Sequence, residues 1–415
     1  MNLIKTSFYS SISTAIRIIS SFVVTKVIAI YIGPAGLAVM GNFQNFINIL
    51  SGLATCSINN GVIKYTAEYG SDPIKLKALF SSSFKIIICS SAVVGLTCIL
   101  ISKYLSNKIL HVPDFAYLFI IFGLTVILFA LNTLILSILN GRKEIRKFTL
   151  VNVISSILSL VITVGLIYYK HLNGALLSLV LAQTCIFFVA FYILSKCEWF
   201  SISIFSGKVD IGILRQLFRF SAMGITSAVA GPLALLLIRN YITTRISGQA
   251  AGYWEAISRI SSIYLMLVTT SLAIYYLPKL SETHNPKEVK HEIVYGYKVI
   301  MPIVIITSVS MYLLRYLIIR LLFSQQFIPM EPLFLFQLLG DNIKIASWLL
   351  AFLMLAKAMA KMYIITEIIF SITYVGFSFL FVSRFGLIGA TYAYAINYLI
   401  YLFTCFFLLK KKYLQ

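Results

Sequence analysis

The sequence predicts an all-α polytopic membrane protein: twelve transmembrane helices in two six-helix lobes related by pseudo-two-fold symmetry, with a central cationic cavity. Three observations predict it. Of 415 residues, 60% are hydrophobic and only 11% charged, where a soluble domain carries roughly 25% charged residues; the mean hydropathy is +0.94. Apolar runs long enough to cross a bilayer core, about 20 residues each, recur along the whole chain. Segments of the first half also have counterparts 215 residues later.

The spans fall near residues 12–32, 36–62, 79–102, 115–139, 148–169, 173–195, 212–241, 249–276, 293–314, 330–356, 362–382 and 387–409. The longest connections, near 196–211 and 278–291, leave no room for a soluble domain. The first span is too long for a signal-peptide core and has no small-residue cleavage site behind it, so it is expected to be retained.

Basic residues set the orientation. With the N-terminus in the cytoplasm, twenty-two Lys and Arg fall in cytoplasmic segments. Seven fall on the other side: Lys103, Lys108, Lys170, Arg245, Arg315, Arg320 and Arg384. Both termini are therefore expected on the cytoplasmic side of the membrane. The formal net charge of +21 reads as membrane orientation, not nucleic-acid binding.

LNGALLSLVLA, starting at Leu172, aligns with LIGATYAYAIN, starting at Leu387. LILSILNGRKEIRKF (134–148) aligns with LLAFLMLAKAMAKMY (349–363), and PAGL (34–37) has an echo in AAGY (250–253). An offset of half the chain predicts parallel repeats, an N-terminal lobe over 1–205 and a C-terminal lobe over 206–415, with a substrate site between them. The six cysteines form no CxxC and read as small core residues. The four histidines (His111, His171, His284, His291) fall in loops or at span ends, without metal-ligand spacing. No metal and no bound cofactor is implied.

Five cations remain inside spans: Arg17, Lys26, Arg239, Arg259 and Lys344. Three acids join them: Glu255, Asp341 and Glu367. A charge at the bilayer centre costs roughly 3 kcal/mol on insertion scales, so each should face a cavity, a partner or the interface. Glu255 and Arg259 are spaced i,i+4 and Asp341 and Lys344 i,i+3, both pairing distances on a helix. Arg17, Lys26 and Arg239 have no acid within one turn. Lys26 and Arg239 lie toward span ends, where snorkelling is the alternative.

At 100° per residue, Gly41, Asn45, Asn48, Gly52, Thr55 and Asn59 form one stripe along helix 2. Glu255, Arg259, Ser262, Met266 and Thr269 form another on helix 8. Arg17 shares a face with Ser10, Ser13, Ser20 and Ser21, and Gln337, Asp341, Lys344 and Trp348 share one on helix 10. Unpaired amides do not belong in hydrocarbon, so Asn42, Gln44, Asn45 and Asn48 point to a hydrated cavity or to a packed helix neighbour. Arg17, Lys26, Arg239, Arg259 and Lys344 suit a pyrophosphate. Asn42, Asn45, Asn48, Asn59, Trp254, Gln337 and Trp348 suit a glycan. Glu255, Asp341 and Glu367 are candidates for coupling to H⁺ or Na⁺ counter-transport.

Two other classes compete with this reading. A cation-coupled multidrug exporter of the same fold would want an acidic, aromatic cavity, not one with more cations than acids. A membrane glycosyltransferase or polymerase would need a catalytic loop outside the membrane. Only Asp114 and Glu331 supply carboxylates there.

IGPAGLAVMGNFQNFINILSGLATCSINNGVIKYTAEY (32–69), YYLPKLSE (275–282), RYLIIRLLFSQQF (315–327) and FQLLGDNIKIASWLLAFLMLAKA (336–358) resemble enterobacterial Wzx-type flippases, the O-antigen and lipid III flippases of the multidrug/oligosaccharidyl-lipid/polysaccharide exporter superfamily. The resemblance runs the whole chain. It implies two six-helix lobes, alternating access, and export of an undecaprenyl-pyrophosphate-linked oligosaccharide from the cytoplasmic to the periplasmic leaflet. It also implies the phospholipid bilayer as surroundings and the polymerase and chain-length proteins of the same pathway as candidate partners. Arg17, Lys26, Arg239, Asp341, Lys344 and Glu367 match charged positions of that family. Helix 8 departs from it: a WQxxSSISD-like run reads WEAISRISS at 254–262, with the acid at Glu255 and a new cation at Arg259. That departure points to an O-antigen repeat unit rather than lipid III.

Overall fold

The computed structural model describes residues 3–70, 72–110, 112–207, 209–272, 276–283, 285–357, 359–410 and 413. His111, Lys208, Tyr275, His284, Lys411 and Lys412 lie outside them, as do the side chains of Lys5, Ser10 and Arg219. The described chain is helical and contains no strand.

Long helices fill the predicted spans: α1 (Leu3–Tyr31), α2 (Gly33–Ala54, continued after a bend by Asn59–Tyr69), α3 (Pro73–Leu100) and α4 (Ala116–Gly141). Next comes a helical run over Ile145–Ser195, interrupted at His171 by φ 46° and ψ −124°. Its 51 residues would extend about 76 Å at 1.5 Å per residue, more than two bilayer cores, so the break divides it into α5 (145–170) and α6 (172–195). The second half supplies α7 (Ile211–Arg245), α8 (Gly248–Ser271), α9 (Pro286–Leu313), α10 (Phe334–Ala356), α11 (Ala360–Phe385) and α12 (Ile388–Leu409). Nine described helices are each apolar and long enough to cross a membrane, and the bent α2 pair makes ten. Dividing 145–195 gives an eleventh. The twelfth is α8, whose Glu255 and Arg259 lower its hydropathy. Apolar side chains such as Val93, Leu124, Ile306, Ile372 and Phe407 stay exposed, as lipid-facing residues do.

Local signals explain where helices start. Asp72 caps α3 by accepting from the Ile74 and Lys75 amides at 3.1 Å, with Pro73 at the first helical position. The Ser247 hydroxyl accepts from the Ala250 amide at 3.1 Å to start α8. Asn285 and Pro286 do the same for α9.

The internal repeat carries into the backbone. α4 ends at Gly141 and α10 at Ala356; α5 starts at Ile145 and α11 at Ala360. Each pair is 215 residues apart. The same C-terminal bonds close both joints: Glu144 N–H donates to the Leu139 carbonyl at 2.9 Å, and Met359 N–H to the Met354 carbonyl at 2.8 Å. Gly174 lies so tightly against the Leu166 carbonyl that a Cβ would overlap it, and Gly389 is pressed in the same way against the Phe381 carbonyl. His171 (φ 46°) and Gly386 (φ 66°) take matching positive-φ turns.

One expectation needs correction. Helix 2 does not run straight from 36 to 62. After Ala54 the chain passes through Cys56 and Ser57, both at φ 46°, and turns by 44° into Asn59–Tyr69. The stripe therefore ends near Thr55, and Asn59 sits on a different axis. The exposed ends of the broken ladder are met by hydroxyls: Ser90 donates to the Ala54 carbonyl at 2.5 Å, and Ser221 donates to that of Cys56. This is how an irregular segment survives at membrane depth.

The chain divides into two compact units, Met1–Tyr31 with Asn42–Leu233, and Ile32–Gly41 with Ala234–Gln415. In the first, α4, α5 and α6 share a core around Ile135, Leu139, Val151, Ala190 and Leu194. In the second, α9, α10 and α12 close around Ile293, Leu349, Leu353, Met354 and Cys405.

Candidate functional site: a buried ion cluster in the second unit

Five of the eight intramembrane charges meet in two neighbouring groups within the second unit, with Glu367 close by. The first group is an ion triad. Glu255, at the start of α8, accepts from the Arg239 guanidinium of α7 and from Arg259 Nε at 2.8 Å. The Glu255–Arg259 pair is the expected i,i+4 contact. The partner of Arg239 comes from the adjacent helix, 16 residues on, which a one-turn search could not find. Arg239 is 2% exposed, so it does not snorkel. Its guanidinium carbon lies 5.5 Å from the centre of the Trp254 ring. Gly41 of α2 makes room for the triad: an added Cβ would sit 2.7 Å from Glu255 Cδ and 2.9 Å from Arg239 Cζ.

The second group is built around Asp341 of α10, which is fully buried. The expected ion pair with Lys344 is not formed: no N–O approach within 4 Å joins these two described residues. Three hydroxyls surround the carboxylate instead. Ser261 donates at 2.6 Å, Tyr264 at 2.8 Å and Tyr394 at 2.8 Å. Lys344, one turn on, points among aromatic rings, with Nζ 4.8 Å from the Trp348 centroid, 5.2 Å from Tyr398 and 5.5 Å from Tyr394. Tyr394 thus touches both groups: its hydroxyl serves Asp341 and its ring faces the ammonium. Gly340 leaves the space its ring occupies. Glu367 of α11 and Asp341 both act electrostatically on Lys344. Tyr374 packs on Tyr394 with ring centroids 5.9 Å apart.

The formal charges of Arg239, Glu255, Arg259, Asp341, Lys344 and Glu367 cancel. An incoming anion would compete with Glu255 for two guanidiniums already oriented by it, in an environment of low dielectric where such competition is strong.

The family model described as polysaccharide biosynthesis protein matches residues 3–284. The chain belongs to that family. The chain is 30% identical over 410 residues to the "Lipid III flippase" of Escherichia coli (strain K12), covering 98% of the chain and 97% of the relative. The same figures hold for the "Lipid III flippase" of Shigella flexneri. Among solved structures, an inward-facing multidrug resistance MATE family transporter of the MOP superfamily superposes with a TM-score of 0.80 at 14% identity, covering 96% of this chain and 98% of that one. The lipid II flippase MurJ, in an inward closed conformation, gives 0.73 at 18% identity over 98% and 87%. These two establish the fold, and the relatives make the chain a multi-pass membrane transporter of the flippase superfamily rather than an enzyme.

The remaining predicted residues fall in the first unit or stand apart from the charges. Arg17 is exposed and Lys26 half-buried on α1. Asn42 is buried and donates to the Ile109 carbonyl at 3.4 Å. Asn45 is buried, and its amide nitrogen has no hydrogen-bond partner among the described residues. Asn48 is exposed and accepts from Gln44 at 3.0 Å. In the second unit, Gln337 Oε1 and Trp254 Nε1 are buried and likewise lack a partner among the described residues. The hydroxyls of Ser261, Tyr264 and Tyr394 escape a reading of the sequence. The signal for Tyr394 is its place with Tyr398 and Tyr401 on one face of α12.

Proposed function

We propose that this protein flips an undecaprenyl-pyrophosphate-linked oligosaccharide, an O-antigen repeat unit or similar, from the cytoplasmic to the periplasmic leaflet of a bacterial inner membrane. Both termini are cytoplasmic in this reading, and the halves 1–205 and 206–415 alternate access. The observation that carries it is the triad of Arg239, Glu255 and Arg259 buried in helices of a chain whose relatives are flippases. A transporter of apolar cargo has no use for one buried and one half-buried guanidinium inside its spans, whereas a pyrophosphate offers them bidentate partners.

Arg239, Arg259 and Lys344, with Arg17 and Lys26 of α1, are the proposed pyrophosphate ligands. Trp254, Gln337, Trp348, Asn42, Asn45, Asn48 and Asn59 are the proposed glycan contacts. Unpartnered polar atoms on Asn45, Gln337 and Trp254 support that role, because each is a hydrogen-bonding group left for a ligand or water. Asp341, Glu255 and Glu367 are the proposed coupling groups. Loading Asp341 with H⁺ or Na⁺ would change what its three hydroxyls see. Tyr394 would pass that change to Lys344. The drug-exporter reading has only fold likeness behind it.

Mass spectrometry of lipid extracts tests the proposal. A strain lacking the protein should accumulate lipid-linked oligosaccharide, and the wild-type gene should clear it. Arg239→Gln and Lys344→Gln should insert normally and fail to clear it. Normal export by both variants sinks the ligand assignment; absence of accumulation in the deletion strain sinks the flippase reading.

A further inference from the structure

The two halves of this chain contain an internal control. At the turn between α5 and α6 stands His171, with φ 46° and ψ −124°. At the equivalent turn 215 residues later stands Gly386, with φ 66° and ψ −148°. Glycine takes this backbone freely, while an L side chain is strained in it. The second repeat therefore shows the unstrained solution to the same turn, and the first repeat departs from it. Strain of this kind persists where the side chain is needed for something.

The imidazole is exposed and stacks on Tyr31, at the end of α1, with ring centroids 6.2 Å apart. Tyr31 also meets Tyr168 edge-on at 6.1 Å, and Tyr168 meets Tyr169 at 5.2 Å. Tyr168 is 60% exposed and Tyr169 80%. Lys170 and Asn173, on either side of His171 in the sequence, are also exposed. All of this lies within the first unit.

We infer that Tyr31, Tyr168, Tyr169 and His171 form a carbohydrate-stacking platform at the end of α1 and the α5–α6 turn. The inference rests on the flippase reading for its biological meaning: six spans separate this turn from Gly386, so both open on the side opposite the N-terminus, where the glycan would emerge. The apolar face of a pyranose lies flat on an aromatic ring. The three phenol hydroxyls, the imidazole, Lys170 and Asn173 form a polar rim for sugar hydroxyls or a uronate.

An aromatic belt in the lipid interface is the competing explanation. A belt would serve both repeats alike. The second turn, however, replaces Tyr168 with Ser383, Tyr169 with Arg384 and His171 with Gly386, and carries one aromatic over 383–386, Phe385 in place of Lys170. A belt can also place its rings on unstrained helix ends and gains nothing from a histidine at positive φ. A cluster of three exposed tyrosines, one of them stacked by a histidine held in a strained turn, fits a ligand site.

The test uses the full-length protein in detergent with two defined probes, neutral chitotriose and acidic trigalacturonate, and reads contacts by saturation-transfer-difference NMR. Wild type should transfer saturation to the ring protons of at least one probe. Tyr168→Ala and Tyr169→Ala should each weaken that binding about three- to ten-fold, the worth of one aromatic stack. His171→Gly should weaken it similarly while melting at or above the wild-type temperature, because glycine relieves the turn. No transfer to either probe in wild type overturns the inference, as does wild-type binding by all three variants. A large loss of melting temperature in His171→Gly would assign the ring to packing and overturn it too. Variants that keep sugar binding but change anionic-lipid retention by native mass spectrometry would reassign the cluster to the headgroup layer. The lipid-extract assay runs separately. Clearance by wild type together with unchanged sugar binding in the variants sinks the platform alone, and a deletion strain with no accumulation sinks the flippase reading.

Discussion

Glu255 shows how one side chain holds two others in place. Removing its charge leaves Arg239 and Arg259 facing each other without compensation, and breaking a buried pair from one side costs about 3–5 kcal/mol. Removing Arg259, whose side chain is 23% exposed, costs less, about 1–2 kcal/mol for a lost charged hydrogen bond. Glu255→Gln should therefore lower the melting temperature in detergent more than Arg259→Gln does; the opposite order would mean that Glu255 is not the centre of the triad. Gly41→Ala should also disturb it, since the new methyl would meet Glu255 and Arg239 within 3 Å. Asp341 is held differently. Asp341→Asn removes the charge and keeps one oxygen to accept from Ser261 and Tyr264, while its amide NH2 donates to the Tyr394 oxygen. Transport in that variant should lose its dependence on a pH or Na⁺ gradient, measured in proteoliposomes, and unchanged dependence would rule the residue out as the coupling group.

Helix-level features were partly legible in the sequence. The spans could be counted because hydrocarbon demands long apolar runs. The 215-residue offset could be seen because the joints that repeat it contain glycines and matched helix ends. The bend in α2 was hidden: Cys56 and Ser57 carry no sign of a positive φ, and only the hydroxyls of Ser90 and Ser221, from distant helices, make it tolerable. The ring of hydroxyls around Asp341 was hidden for a similar reason. Helical spacing reveals partners on the same helix, whereas Ser261 and Tyr394 lie 80 and 53 residues away. Because the joints are equivalent, Gly174→Ala and Gly389→Ala should fail alike, each pushing a methyl into a carbonyl oxygen, and should yield little monodisperse protein on size-exclusion chromatography. At the start of α3, the Lys75 and Ile74 amides hold the Asp72 carboxyl below its ordinary range. Its capping contribution is present above the ordinary Asp value and fades as pH falls through the lowered one. Protection of the Ile74 and Lys75 amides, taken against the unstructured chain at the same pH, should fall in acid in the wild type, and Asp72→Asn, which still caps, should remove that acid step.

For the whole molecule, the membrane potential becomes a measurable driving force under the proposed function. A pyrophosphate head with about two negative charges leaving a negative cytoplasm gains up to about 4.6 kcal/mol at 100 mV. Flipping in proteoliposomes should accelerate when valinomycin sets the interior of the loading side negative. A rate indifferent to voltage would mean that the cations of the site travel with the head, so that almost no net charge moves.

The Arg239–Glu255 pair also bears on how the chain enters the membrane. α8 alone falls short of the apolarity that lets the other spans cross, and Glu255 is one reason. Its partner lies on α7, joined to α8 by a turn of two residues, Ile246 and Ser247. A translocon presented with α8 by itself should leave it in water. Presented with α7 and α8 together, it meets a hairpin whose acid is already neutralised. α8 is thus expected to partition as the second arm of a pair and to lose insertion when α7 is missing. Glycosylation mapping of truncated chains, with and without α7, would measure that dependence directly.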